Sequence, residues 1–178
     1  MITISGDRWI HKAVWYYIKT VFKENIPVIV VDGANKFDPY LISEICVKMG
    51  LNPYQILENI FIARAFTPFQ LQELLKKVYS YKLNNKKFIF ICIGVTYLLD
   101  DDNIPLYRRM KIFKQILNFL LKIDSAIVTI NSDRLNMDSV IKKSSGVVIE
   151  NNSIIKPDTL KKEHNKLWAG QLHHLHIL

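Results

Sequence analysis

The sequence has few cysteines, no apolar run of membrane length and too few acidic residues to balance its basic ones. Cys46 and Cys92 lie among apolar residues and outside any C-x-x-C pair, which argues against a disulfide framework or a thiolate zinc site. The longest nearly continuous apolar run, Phe88 to Val95, is far shorter than the roughly 20 residues of a membrane-spanning helix. We therefore expect two buried, reduced thiols and no membrane partner.

The N-terminal residues also lack the features of a secretory signal, because MITISGDRW has neither a basic start nor an apolar stretch. A cytoplasmic location is predicted. The 178 residues, 49% of them hydrophobic and 22% charged, suit a single domain with a large core. The formal net charge of +8 favours polyanionic partners, although charge alone does not identify them.

Apolar runs that suit buried strands alternate with segments whose apolar residues recur at helical spacing. The predicted strands are Ile2 to Ser5, Pro27 to Asp32, Asn59 to Ala65, Lys87 to Val95 and Ser125 to Asn131, followed by a terminal hairpin of 146–150 and 153–155. The predicted helices are His11 to Lys23, one from Pro39 towards Gly50, one that Pro68 opens, and one from Ile104 to Ile123.

Parallel strands need crossover connections, and these are usually helices, so the alternation predicts a doubly wound α/β fold. The expected architecture is a mostly parallel central sheet with helices on both faces and a C-terminal hairpin. Residues 1–155 are assigned to this core and 156–178 to a tail that packs on the core or on a partner. Ligands of such folds bind beyond the carboxyl ends of the strands, here in the loops after Ser5, Asp32, Thr96 and Asn131.

The segment from Val30 to Leu75 carries a series of short motifs in a defined order. They are the strand-ending Asp32, then Phe37 and Pro39 before a helix, then Gly50-Leu51, Asn59-Ile60 and Ala63-Arg64-Ala65-Phe66. In this order the chain resembles the ATPase core of the RecA/RadA recombinase superfamily, particularly its RadA-like branch, over roughly residues 1–150. The resemblance implies a three-layer RecA-like P-loop NTPase fold.

The resemblance places a phosphate-binding loop at GDRWIHKA, residues 6–13. Such a loop, G-x-x-x-x-G-K-[ST], uses its second Gly to curl around phosphate, its Lys as a point charge and its hydroxyl for Mg²⁺. Gly6 and Lys12 are retained, whereas His11 replaces the second Gly and Ala13 replaces the hydroxyl residue. These four residues are the candidate cofactor-binding positions, and they form a degenerate loop.

Two further positions that the resemblance assigns to catalysis are also altered. Ala34 stands where the family has a Glu that positions the attacking water, and Ile93 stands where it has a carboxylate associated with magnesium. We therefore predict no catalytic residues, no ATP hydrolysis and no cofactor, with weak ATP or ADP binding as the alternative. Different residues could also serve in their place, because Asp32 could reach the site and the acidic residues 100–102 could bind a metal ion.

In the resembled recombinases two loops hold DNA, and these correspond here to 98–109 and 132–145. The predicted phosphate contacts are their basic residues, Arg108, Arg109, Arg134, Lys142 and Lys143. Ordinary surface charge is the alternative explanation. Three tail histidines, His173, His174 and His176, lack acidic or thiol partners nearby, so no metal site is predicted there.

Together these features predict a catalytically degenerate RecA/RadA-like protein that acts in DNA repair or recombination by binding DNA or a RecA/RadA-type recombinase. One alternative is a divergent ATPase that a partner completes. Another is an interaction subunit that does not bind DNA, and a homo-oligomer stays open.

Overall fold

The computed structural model describes residues 1–6, 10–83, 87–123, 125–131, 136–150 and 153–155. The strands are β1 (Ile2–Gly6), β2 (Val28–Asp32), β3 (Ile60–Arg64), β4 (Ile89–Ile93), β5 (Ala126–Asn131), β6 (Val147–Glu150) and β7 (Ser153–Ile155). The α-helices are α1 (Ile10–Ile18), α2 (Pro39–Lys48), α3 (Pro53–Glu58), α4 (Pro68–Leu83), α5 (Leu106–Lys122) and α6 (Asn136–Ser144). Short 3₁₀ segments cover Lys19–Glu24 and Tyr97–Leu99.

The strands form one sheet in the order β3-β2-β4-β5-β1-β6-β7. The six strands from β3 to β6 are parallel, and β7 pairs with β6 in the antiparallel direction. The predicted α/β class, the mostly parallel sheet and the C-terminal hairpin are therefore confirmed. The Asn151-Asn152 turn and the tail from 156 lie outside the described residues, so the proposed division into core and tail remains a prediction.

Helices cover both faces of the sheet because alternate strand residues are apolar on both sides. On one face Ile4, Val30 and Ile91 belong to a core cluster that also contains residues of α1 and α2. On the other, Phe90 and Val128 belong to a second cluster that contains residues of α4, α5 and α6. This double burial explains the nearly continuous apolar runs that predicted the central strands.

Helix boundaries follow local capping. Asp38 caps α2 by accepting hydrogen bonds from the backbone N–H of Tyr40 and Leu41, and Pro39 occupies the first turn. After the helix, Gly50 has φ +66° and Leu51 N–H donates to the carbonyl of Cys46. The predicted start and stop of this helix are therefore correct.

Two α-helices are missing from the sequence-based prediction. The first is the six-residue α3, which Asn52 caps. The second is α6, which occupies most of the stretch predicted to be a DNA-binding loop at 132–145. The loop prediction is wrong there because Met137 and Ile141 place apolar side chains on one helical face, while Asp138 and the basic last turn complement the helix dipole. The long helix also begins at Leu106 rather than Ile104, with Pro105 as its N-cap.

Both cysteines are buried and unpaired, as predicted. Burial raises the pKa of the Cys92 thiol, and the nearby Asp32 carboxylate adds to that shift. Burial likewise raises the pKa of Cys46. Both groups therefore stay as thiols at neutral pH. Within the described part of the chain, no helix is long and apolar enough to cross a bilayer.

Candidate functional site at the carboxyl edge of the sheet

The carboxyl ends of the parallel strands meet at one edge, where the sequence placed the functional loops. In the strand register Gly6 pairs with Asn131, and Ile93 pairs with both Asp32 and Thr129. Asp32 also pairs with Arg64 on the outer strand β3. The residues assigned to the phosphate loop, the base and the metal carboxylate therefore lie along this one edge.

The degenerate phosphate loop connects β1 to α1. Gly6 has φ +154°, a backbone conformation that favours glycine. Residues 7–9 lie outside the described residues, and α1 begins at Ile10, which is fully buried. Ala13 is half-buried and packs against the core cluster that contains α1 and α2. A methyl group therefore stands in the core where the resembled loop has a hydroxyl for Mg²⁺.

His11 occupies the position of the second loop glycine, and its side chain is buried. Its Nδ1 lies 3.2 Å from Oγ1 of Thr129 on β5. That hydroxyl oxygen also accepts a hydrogen bond from Gly94 N–H at 3.1 Å. The imidazole is therefore held against the end of the sheet and fills space that a glycine would leave open.

Thr129 is the functional neighbour that sequence reasoning missed. It lies within SAIVTIN, and it is fully buried. A lone hydroxyl in an otherwise apolar buried strand was the available signal, because a buried hydroxyl needs a hydrogen-bond partner. Its partner His11 comes from a distant part of the chain, so only the fold reveals the pair.

Lys12 is exposed on α1. A hydrogen bond and the positive charge of Lys48 lower the pKa of the Glu44 carboxyl, and the charge of Lys12 adds a smaller effect in the same direction. Glu44 and Lys48 form an ion pair of 2.6 Å on α2. The ammonium of Lys12 therefore acts on the surface of α2.

Asp32 is fully buried at the end of β2. Its partners are backbone groups of the turn that follows and the side chain of Arg64. Its carboxylate oxygens accept hydrogen bonds from the backbone N–H groups of Ala34, Lys36 and Phe37 at 2.9 to 3.2 Å. Nε of Arg64 lies 4.0 Å from Oδ2. The carboxylate thus organises the turn at 33–37. Hydrogen bonds from that turn satisfy both carboxylate oxygens without a metal ion.

Ala34 and Ile93 stand at the positions that the resemblance assigns to the base and the metal carboxylate. Ile93 is fully buried in a core cluster, and the half-buried Ala34 packs against that cluster. A Cβ added at Gly94 would lie 2.5 Å from Cβ of Ala34. Among the described residues, no group of three or more His, Cys, Asp or Glu side chains could hold a metal ion.

The five basic residues predicted to contact DNA have different surroundings. Arg108 is exposed on the first turns of α5, and Lys143 is exposed on α6. The Arg109 side chain is only 13% exposed, and its guanidinium contacts Asp102 at 3.6 Å and the carbonyl of Leu99 at 3.4 Å.

Lys142 is also engaged, because its Nζ lies 2.8 Å from a carboxylate oxygen of Glu150 on β6. Arg134 lies outside the described residues. Among the four described residues, Arg109 and Lys142 thus contact other groups of the protein, whereas Arg108 and Lys143 are exposed on different helices. The structure does not gather them into one cluster, and their contact with DNA stays a prediction.

The parallel sheet, the helices on both faces and the loop-to-helix connection after β1 define a RecA-like α/β fold. The family model described as Rad51 matches residues 23–131, which is more than half of the chain and runs from before β2 to the end of β5. The chain therefore belongs to the Rad51 family, whose members are recombination- and repair-related RecA-like proteins. Among the curated proteins compared with it, none matches.

Proposed function

We propose that this chain is an accessory protein of recombination or repair that binds a recombinase or DNA and does not hydrolyse ATP. The observation that supports this most directly is the filled carboxyl edge. The His11 side chain is buried there against Thr129. Ile93 belongs to a core cluster that Ala13 packs against, and the Asp32 carboxylate accepts hydrogen bonds from its own turn.

Phosphoryl transfer depends chiefly on charge and metal placed around the phosphates. Loss of a single transition-state contact of this kind commonly costs about 10² to 10³ in kcat. Here the metal hydroxyl, the water-positioning carboxylate and the metal carboxylate are replaced by Ala13, Ala34 and Ile93. The combined loss removes useful turnover, and the exposed Lys12 does not compensate for it.

The first prediction concerns hydrolysis. Purified protein with Mg²⁺ and ATP should release phosphate at the rate of a protein-free sample, and Lys12→Ala should not change that rate. Lys19→Ala, which removes another exposed lysine, is the matched control. Magnesium-dependent hydrolysis that Lys12→Ala abolishes and Lys19→Ala preserves would contradict the proposal.

A titration with a nonhydrolysable ATP analogue, repeated with a Rad51-family recombinase present, tests the alternative of an ATPase that a partner completes. Binding and turnover that arise only in the mixture and depend on Lys12 would favour that alternative.

A protein-binding role is supported by the outer strand β3. Within the described residues β3 pairs only with β2, so its other edge presents unpaired backbone groups. Phe61 is 57% exposed and Ile62 is also exposed on this strand, and Phe66 just beyond it is 69% exposed. Edge strands are usually protected by charge or proline, but Ile60–Arg64 has a charge only at its last residue.

An exposed apolar edge suits the addition of an extended peptide segment, in which backbone hydrogen bonds give affinity and side-chain pockets give specificity. Because the chain belongs to the Rad51 family, we assign this edge to a segment of a recombinase of that family. The exposed aromatic side chains supply the apolar anchors that such an interface needs.

The second prediction tests this edge. Ile62→Lys should weaken binding to a purified Rad51-family recombinase about tenfold, because a charge at the centre of an apolar contact costs at least about 1.4 kcal/mol. Calorimetry or surface plasmon resonance measures the affinity. Val47→Lys is the matched control, since Val47 is 68% exposed on α2.

Equal affinities for Ile62→Lys and the unaltered protein would contradict the assignment. If the chain itself forms a dimer that Ile62→Lys dissociates and no recombinase binds, the occupant of the edge is a second copy, and the recombinase assignment is wrong.

A further inference from the structure

The outer sides of α4 and α5 carry a concentrated set of positive charges, which we call the α4–α5 basic face. It consists of Lys76 on α4 and of Arg108, Lys111, Lys114 and Lys122 on α5, all exposed. The α5 members recur at intervals that keep them on one half of the helix surface. The face is therefore a surface feature of two packed helices and not of a loop.

Side-chain contacts hold the helices side by side. The side-chain amide of Gln72 on α4 donates to that of Gln115 on α5 at 3.0 Å. Lys76 lies one turn after Gln72 and so lies beside α5. Further along, the Lys122 ammonium lies 5.5 Å from the ring centroid of Tyr79. Packing between α4 and α5 thus fixes the two helices that carry these charges.

The distribution of basic residues along α5 is unfavourable for the stability of the helix. Its 17 residues, LYRRMKIFKQILNFLLK, contain five basic residues and no acidic one. Cations near a helix N-terminus oppose the dipole, and like charges three residues apart repel each other. Arg108, the third residue of α5, is subject to both penalties, whereas Lys111 in the second turn is subject only to the repulsion. On the other side of the sheet, α2 pairs Glu44 with Lys48 in the usual stabilising arrangement.

The charges of the face are also not neutralised by the fold. The acidic loop before α5 reaches Arg109, which contacts Asp102 and is not part of the face. Within the described part of the chain, no ion pair involves Lys76, Arg108, Lys111, Lys114 or Lys122. A ligand with many negative charges would relieve the repulsion among them.

We propose that the α4–α5 basic face binds the phosphate backbone of DNA without reading its sequence. Helix α5 is roughly 25 Å long, which spans about seven phosphates of one strand. The exposed side chains on this half of α5 are mainly cations and amides, which suit phosphate contacts. This inference rests on the binding role proposed above, and it shares only Arg108 with the loops that the sequence suggested.

The test compares two double variants that remove the same charge from opposite faces of the sheet. Lys111→Gln with Lys114→Gln alters the basic face, and Lys19→Gln with Lys23→Gln alters exposed residues of the 3₁₀ segment after α1. Fluorescence anisotropy with labelled single-stranded and duplex DNA, without nucleotide, measures the dissociation constants over a range of salt concentrations. Circular dichroism checks that both variants are folded.

The first double variant should weaken DNA binding about tenfold or more and reduce the slope of log K against log salt by roughly two. The second should stay within about twofold of the unaltered protein. Equal losses in both variants, or no loss in the first, would overturn the proposal.

A competition experiment measures whether a polyglutamate peptide displaces DNA from the α4–α5 basic face. Binding of the peptide to the face without any binding of DNA would show that the ligand is an acidic protein, and the proposal would be wrong. Because no nucleotide is present and Ile62 is unaltered, failure here leaves the predictions on hydrolysis and on the β3 edge standing.

Discussion

Replacing Gly94 by alanine should lower the free energy of unfolding by about 4 kcal/mol. Gly94 follows β4 with φ +67°, a conformation that costs a residue with a Cβ about 1–2 kcal/mol. The added methyl group would also lie 2.5 Å from Cβ of Ala34, and overpacking of this kind costs about 1–3 kcal/mol. The turn after β2 would have to move away from the end of β4.

Gly50→Ala is the matched control for this prediction. Gly50 has nearly the same φ, +66°, but no atom lies within 4 Å of the point that an added Cβ would occupy. Its replacement should therefore cost only the conformational term, about 1 kcal/mol. Chemical denaturation measures the loss of stability in both variants. The slope of the unfolding free energy against denaturant concentration should stay constant. Equal losses at the two positions would show that Gly94 and Ala34 are not in close contact.

Replacing Asp32 by alanine should lower the free energy of unfolding by about 3 kcal/mol. The carboxylate accepts hydrogen bonds from the backbone N–H groups of Ala34, Lys36 and Phe37, and alanine would leave all three without this acceptor. Asp32→Asn keeps one oxygen and should lose roughly half as much. The denaturant midpoint should be highest for the unaltered protein, lower for Asp32→Asn and lowest for Asp32→Ala.

A different result would change the interpretation of the site. If Asp32→Ala left stability unchanged but abolished binding of magnesium and nucleotide, the carboxylate would be a metal ligand and not the organiser of the turn. The structure argues for the turn, because both carboxylate oxygens already have backbone partners.

Gly94 and Asp32 act on the same turn. Gly94 permits the close approach of the turn at 33–37, and Asp32 holds that turn in place. Together they bring Ala34 against the end of β4.

The sheet could be predicted because its information is local. In runs such as PVIVVD and KFIFICIGV, most side chains on both faces of the strand are apolar. This pattern is typical of strands that are buried on both faces. The start of α2 was likewise readable from Pro39 and its end from Gly50. By contrast, α3 and α6 are short, and the helical state of such short segments depends on packing against the rest of the fold.

The candidate site was only partly predictable. The substitutions at His11, Ala13, Ala34 and Ile93 are visible in the sequence once the family order is recognised. What replaces the lost chemistry is not visible there. The contact of His11 with Thr129 joins residues 118 positions apart, and the engagement of Arg109 and Lys142 in ion pairs depends on which helix meets which loop.

The sequence by itself determined the α/β class and the order of the central elements, because each is encoded in residue type and short-range spacing. Only the tertiary structure decided that His11 meets Thr129, that β3 is an edge strand with the exposed Phe61, and that the basic residues of α4 and α5 share a face. These properties arise from contacts between distant segments, and no local pattern specifies them.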